Sequence, residues 1–108
     1  MIWKVDYAQS AKQDLHSIYD YIRNTLLEPV IAVNQTNRIM DAADSLDHMP
    51  LRHQLYDKEP WRGRGLRVMP VDNFIVFYIP TDGTKTVNII RIMYGGRDFD
   101  TQLGQTDD

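Results

Sequence analysis

Segment 63–97 constrains the fold most strongly, because it contains three apolar runs separated by turn sequences. These runs are rich in Val, Ile, Phe and Tyr, which favour β-strands, and they cover residues 66–69, 74–79 and 86–93. The letters PVDN separate the first two runs, and an Asp-Gly pair, typical of hairpin turns, lies between the last two. The segment therefore predicts three consecutive strands.

Two helices are predicted on the N-terminal side of these strands. Partial alternation in residues 1–7 favours a first strand, and apolar residues then recur three or four positions apart, at Ala11, Leu15, Ile18, Ile22 and Leu26. This helix is expected to end near Leu27, and Pro29 permits a second helix over 29–47. The order β-α-α-β-β-β predicts an α+β domain with a two-helix hairpin packed on a mainly antiparallel four-stranded sheet.

Size and composition predict one soluble domain. Residues 1–103 are interpreted as this domain and 104–108 as a polar tail, because 108 residues with 43% hydrophobic content are typical of a single globular unit. Residues 48–62 have no sustained period and are interpreted as a loop, functional or mobile, with at most one helical turn. The chain has no cysteine, no apolar run long enough to cross a membrane and no signal peptide. We expect a cytoplasmic protein.

Charge is distributed unevenly along the chain, whose net charge is −3. Residues 1–50 carry four Lys or Arg against seven Asp or Glu, and residues 98–108 carry four acids and no base. Residues 51–97 carry eight basic and four acidic residues, a balance of +4. A basic region inside an acidic protein favours binding of phosphate or of an acidic partner.

Basic and phenolic side chains at the strand ends are expected to form one functional surface on the sheet face away from the helices, bordered by the 48–62 loop. They are Arg64, Arg67, Arg91, Tyr94 and Arg97. Arginine suits phosphate binding because its planar fork matches phosphate oxygens. Arg67 and Arg97 are therefore the candidate phosphate-binding residues, and Tyr94 at the strand end is a candidate functional residue.

Alternation along the strand gives Arg67 a direction. Arg67 points away from the helices if Leu66 and Val68 face them. Further candidates for binding RNA or phosphate are Arg64, Arg91, Arg62, Lys58 and Trp61. His48 and His53 have no third ligand nearby in sequence, so neither a metal site nor a cofactor is predicted. Glu59 is either a general base or a surface charge.

The element order and three stretches of sequence resemble the RelE/ParE superfamily of bacterial toxins. The stretches are AKQDLHSIYDYI in the first helix, GLRVMPVDNFIVFYI across the next two strands and VNIIRIMYGGRDFDTQL at the end, and the resemblance covers about residues 3–103. It implies the toxin of a type II toxin–antitoxin pair, in which a flexible antitoxin segment wraps around the toxin. An acidic antitoxin segment would then compete with phosphate for the same basic surface.

The resemblance leaves the target open. RelE-like members cut mRNA in the ribosomal A site, whereas ParE-like members inhibit DNA gyrase without a known hydrolytic site. Arg67 falls where many members have a sheet arginine, and Tyr94 and Arg97 fall in the C-terminal motif that supplies catalytic residues in the cleaving branch. Against that branch, ParE-like members often have His at the place of Tyr94, and Ile75 stands where RelE has a catalytic arginine. The preferred hypothesis is ribosome-dependent, metal-independent mRNA cleavage, which requires cations that stabilise the phosphorane and a group that transfers protons. The resemblance then implies Arg67 and Arg97 as phosphate stabilisers and Tyr94 as the proton-transfer or base-stacking residue. The alternatives are gyrase inhibition by binding, or a degenerate module that binds only its antitoxin.

Overall fold

The computed structural model describes residues 2–106, in which two long helices lie on one face of a four-stranded sheet. The elements are β1 (Lys4–Tyr7), α1 (Gln9–Asp20), α2 (Pro29–Asp44), β2 (Arg67–Val71), β3 (Phe74–Thr81), β4 (Thr86–Tyr94) and α3 (Phe99–Gly104). The sheet order is β1-β4-β3-β2, with β1 parallel to β4 and the other pairs antiparallel. The predicted α+β fold is confirmed. Met1 of the predicted first strand and residues 107–108 of the predicted tail lie outside the described residues.

The two helical stretches end close to the predicted positions, but the last turn of each is not α-helical. One π-helical turn, Tyr21–Thr25, continues α1, and Leu27 then takes a left-handed φ of 57°. Pro29 begins α2, where its missing N–H costs no helical hydrogen bond. A 3-10 turn, Ser45–Asp47, follows α2. No helix within residues 2–106 is both long and apolar enough to span a bilayer.

The first core lies between the helices and the sheet. Its buried members are Trp3, Ala11, Ile39, Ala43, Leu46, Met69, Val76, Tyr78, Val87, Ile89 and Ile92. Ala11 and Ile39 expose no surface, so the apolar spacing that predicted the helices also selects their buried face. Each large aliphatic side chain in such a core contributes about 1.5–3 kcal/mol by its removal from water.

The opposite face of the sheet is also covered, which the sequence analysis did not predict. The second core contains Tyr56, Trp61, Leu66, Phe77, Ile90, Met93 and Leu103. Residues 54–66 supply half of this cover. They are attached to β2 by the backbone hydrogen bond from Val68 N to Gln54 O at 3.0 Å and by the antiparallel bridge between Leu55 and Arg67. The face on which we expected a basic surface is therefore a hydrophobic core.

A β-bulge in β4 allows this strand to serve both cores. Tyr78 of β3 pairs with Ile89, whereas its neighbour Phe77 pairs with Arg91, so that Ile90 is the additional residue. Ile89 and Ile92 consequently pack in the first core, and Ile90 and Met93 pack in the second.

The predicted polar tail is partly folded. α3 extends to Gly104, and Thr106 Oγ1 accepts a hydrogen bond from Arg91 Nη1 at 2.9 Å. Phe99 and Leu103 attach α3 to the second core. Residues 104–106 therefore belong to the same packed unit as the sheet.

Candidate functional site

Arg67 faces the helix side of the sheet, opposite to the direction considered from the sequence. Met69, two residues further on, packs in the first core, whereas Leu66 packs in the second. The Arg67 Nη1 group donates to the carbonyl oxygens of Leu51 at 3.2 Å and His53 at 2.6 Å, and its buried Nε has no partner. Arg67 thus holds loop backbone, and the expected direction was wrong because Leu66 and Val68 do not face the helices.

Arg91 forms a nearly buried ion pair with Asp14 of α1. Its Nε lies 2.6 Å from Asp14 Oδ2 and its Nη2 lies 2.9 Å from Oδ1, with side-chain exposures of 12% and 15%. Nη1 donates to the Gln102 carbonyl at 3.2 Å. All three nitrogens of this guanidinium are occupied, so Arg91 joins α1, β4 and the C-terminal segment rather than standing on an open surface.

Trp61 and its basic neighbours lie against the second core. Trp61 is only 6% exposed, and the Arg64 guanidinium carbon lies 4.7 Å from its ring centroid. The Lys58 ammonium pairs with Asp100 at 2.6 Å; this hydrogen bond raises the pKa of Lys58 and, with that from Tyr56, lowers the pKa of Asp100. A pocket of about 320 Å³ lies between this segment and α3. Charged side chains of both signs line this pocket, among them Lys58, Glu59 and Asp100. Arg62 is exposed and does not line it.

Tyr94 and Arg97 are the predicted residues that the structure brings together. Tyr94 is 55% exposed, and its ring packs edge-on against Phe74, with centroids 5.9 Å apart. The Arg97 N–H donates to the Tyr94 carbonyl at 3.1 Å across the Gly-Gly turn. A Cβ at Gly96 would lie 3.0 Å from the Tyr94 ring, so this tight turn favours glycine.

The two side chains border a groove of about 740 Å³ between the helical hairpin and the end of β4. Its apolar lining includes Ile18, Tyr21, Leu26, Ile31, Phe74 and Ile92. Asp14 and Glu28 contribute carboxylates to the lining, and Arg97 contributes a cation. The groove therefore suits a mainly apolar segment that also carries charge.

The first turns of α1 cover the edge of β4 next to this groove. β1 pairs with β4 only as far as Ile89, and an unpaired strand edge exposes backbone hydrogen-bonding groups. Beyond it, Ser10 Oγ donates to the Ile90 carbonyl at 2.7 Å, and the Ile92 N–H donates to Asp14 Oδ2 at 2.9 Å. Asp14 thus pairs with Arg91 and also accepts the hydrogen bond of a backbone N–H at the strand edge.

Sequence analysis missed the apolar patch at the tip of the hairpin. Leu27 is 76% exposed, Val30 is 70% exposed, and Leu26 and Ile31 are each about half exposed. The apolar run Val30 to Val33 is wider than one helical stripe, and this was the available signal. Contiguous exposed apolar residues mark interaction sites more often than isolated ones do.

A family model described as the ParE toxin of the type II toxin–antitoxin system parDE matches residues 5–99. The chain therefore belongs to the ParE toxin family, within the RelE/ParE superfamily that the sequence resembles. No curated protein matches the chain significantly.

Solved toxin structures share this fold. The chromosomal ParDE system of P. aeruginosa aligns with a TM-score of 0.70 at 21% identity, covering 86% of this chain and 96% of that one. A RelBE toxin–antitoxin complex from Mycobacterium tuberculosis gives 0.63 at 21%, covering 87% and 99%. A mutant of the E. coli toxin RelE in the free state gives 0.64 at 10%, covering 94% and 93%. At these identities the likeness concerns the fold alone.

Proposed function

We propose that this toxin arrests growth by binding its target without cutting RNA, and that the target is DNA gyrase. The ParE family model matches residues 5–99, and the resemblance to ParE-like toxins implies gyrase inhibition. The observation that supports binding over cleavage is the separation of the three candidate catalytic residues.

Arg67 and Tyr94 lie far apart on the sheet. Arg67 pairs with Tyr78 on one side of β3, and Tyr94 pairs with Phe74 on the other side. The two backbones are therefore about 13 Å apart along the strands and about 10 Å apart across them. Cleavage of one phosphodiester requires the proton-transfer group and the stabilising cation at the same phosphate. Because Arg67 is also directed at loop carbonyls, this arrangement disfavours the mRNA-cleavage hypothesis.

The groove beside Tyr94 and Arg97 is the proposed seat of the antitoxin. An amphipathic helix binds such a groove by inserting apolar side chains at regular spacing. The exposed patch at Leu27 and Val30 would be covered in that complex. Arg97 would meet a carboxylate of the bound segment, which agrees with the expectation of an acidic antitoxin.

Supercoiling by purified gyrase, with primer extension on mRNA from cells expressing the chain, tests this proposal. We expect inhibited supercoiling, growth arrest and intact transcripts. Uninhibited supercoiling together with discretely cut transcripts would replace the proposal by the mRNA-cleavage hypothesis. Expression without growth arrest would instead support the degenerate module.

Tyr94→Phe is a matched variant, because it keeps the ring contact with Phe74 and removes only the hydroxyl. Gyrase inhibition is expected to change by less than about twofold, since no proton transfer is involved. A general acid or base contributes about 100-fold or more to rate. A loss of that size in mRNA cleavage by Tyr94→Phe would contradict the binding mechanism.

A further inference from the structure

Side chains fix the backbone of the loop that follows α2. Arg52 donates to the carbonyl oxygens of His48 and Met49, the latter at 3.2 Å, and to Ser45 Oγ at 3.0 Å. The Tyr78 hydroxyl donates to the carbonyl oxygen of Pro50 at 2.7 Å. With the two bonds from Arg67 described above, carbonyl groups along most of residues 48–53 are held by side chains. These bonds fix the loop backbone, although none of residues 48–53 lies in a strand.

The same network holds Met49 in an uncommon conformation. Met49 has a φ of 48°, in the left-handed region that a residue with its side chain seldom adopts. Pro50 is buried next to it, yet Met49 is 75% exposed and Leu51 is 57% exposed. Strained backbone that its surroundings stabilise is concentrated at functional surfaces. The loop thus presents two apolar side chains to solvent in one fixed arrangement.

Two arginine side chains contact the backbone that carries these apolar side chains, Arg52 at Met49 and Arg67 at Leu51. Within residues 2–106, no carboxylate pairs with Arg52 or Arg67, and the nearby Asp47 carboxylate is in hydrogen-bond contact with the His48 ring instead, at 2.6 Å. Burial raises the pKa of the Tyr78 hydroxyl to about 12, although the positive charges of Arg67 and Arg52 act to lower it. The Tyr78 hydroxyl and the Arg67 guanidinium hold adjacent carbonyl groups of the loop, those of Pro50 and Leu51. In a chain of net charge −3, such an uncompensated pair of arginines favours an acidic partner.

The loop is separate from the groove. It follows the C-terminal end of α2, whereas the groove contains residues from the N-terminal end, such as Ile31. A helix of the length of α2, 16 residues, extends about 24 Å. A partner bound at the loop therefore need not contact the groove.

We propose that Met49, Leu51, Arg52, His53 and Arg67 form a loop surface that binds the protein inhibited by this toxin, through an acidic segment of that protein that also carries apolar side chains. The inference rests on the proposed function. Exposed Met49 and Leu51 favour a protein partner over nucleic acid, whose phosphates contact mainly charged and polar groups. Because hydrogen bonds already hold the loop backbone in place, little ordering cost would oppose binding.

Substitutions of opposite charge at Leu51 test both the position of the binding surface and the charge of its partner. Leu51→Asp removes an apolar contact and repels an acidic segment, whereas Leu51→Lys removes the same contact but attracts it. For purified gyrase, we expect Leu51→Asp to raise the concentration for half inhibition by about tenfold or more, and Leu51→Lys by about threefold or less. Growth inhibition on expression should fall in the same order.

Gln13→Asp is the matched control, because it adds the same charge at an exposed position of α1 outside both surfaces. It should inhibit like the wild type, and all three variants should keep the wild-type melting temperature because their sites are exposed. A Leu51→Asp variant as potent as the wild type would overturn the inference alone. Equal losses in both Leu51 variants would overturn the acidic nature of the partner. A wild-type chain that arrests no growth and inhibits no gyrase would overturn the proposed function itself.

Discussion

The two faces of the sheet are buried by different means. Regular helices cover one face, with their apolar side chains at helical spacing in the first core. Residues 54–66 and the six-residue α3 cover the other face, with the second core beneath them. The comparison teaches that a sheet face can be buried without a periodic cover. A face that looks open from sequence periodicity is therefore not necessarily free for function.

This difference explains which parts of the fold were predictable. Helical spacing from Ala11 to Leu26 predicted the hairpin, whereas Tyr56, Trp61 and Leu66 have neither helical nor strand spacing. The adjacent apolar pairs 89–90 and 92–93 do not follow strand alternation. Only the bulge in β4 explains why one member of each pair packs in each core. The direction of Arg67 depended on which alternate residues faced the helices, and a shift of one residue reverses every such assignment.

The candidate site residues were also predictable only in part. Tyr94 and Arg97 are joined by a local turn, so sequence proximity was sufficient to place them together. Arg91 instead pairs with Asp14, which is 77 residues away in the chain. A single sequence contains no signal for a contact over that distance.

The largest expected effect comes from truncating equivalent side chains in the two cores. Ile39→Ala should lower the free energy of unfolding by about 2–5 kcal/mol, because Ile39 is fully buried among regular elements that cannot close the cavity. Leu103→Ala should cost less, about 1–2 kcal/mol, because the short α3 can detach locally before the sheet unfolds. Urea denaturation measures both. Val30→Ala, at an exposed site, is the control and should cost under about 0.5 kcal/mol.

Equal losses in Ile39→Ala and Leu103→Ala would contradict this contrast, because they would mean that both covers unfold as one unit. Amide hydrogen exchange separates the two cases. In the Leu103→Ala variant, exchange should accelerate in α3 well before it accelerates in α2.

The next effect concerns the ion pair that joins the two covers. Asp14→Ala leaves both the Arg91 guanidinium and the Ile92 N–H without their carboxylate, and should cost about 3 kcal/mol in unfolding free energy. Asp14→Asn keeps one acceptor oxygen and should cost about 1–2 kcal/mol. Thermal or urea unfolding provides the measurement. Similar losses in the two variants would mean that charge, rather than hydrogen bonding, holds this junction.

A smaller effect is expected from Arg67, which faces the side that the sequence analysis did not favour. Arg67→Gln removes the bonds to the Leu51 and His53 carbonyls and should cost about 1–2 kcal/mol in unfolding free energy. Amide exchange in residues 51–54 should also accelerate. Arg62→Gln is the control at an exposed arginine and should change neither quantity. Unchanged loop exchange in Arg67→Gln would show that this side chain does not hold the loop.

The smallest expected effect is a pH dependence at His53, on the same side of the sheet. Burial, followed by the charge of Arg52, lowers the pKa of His53 below its usual 6.5, and its ring packs edge-on against Tyr78. The unfolded chain therefore binds this proton more readily than the folded protein does. The resulting stability is fully present above about pH 6.5 and is lost as the pH falls through the lower folded-state pKa. Between pH 7.5 and 5.5, His53→Gln should lose less unfolding free energy than the wild type, and identical losses would mean that the proton binds both states equally.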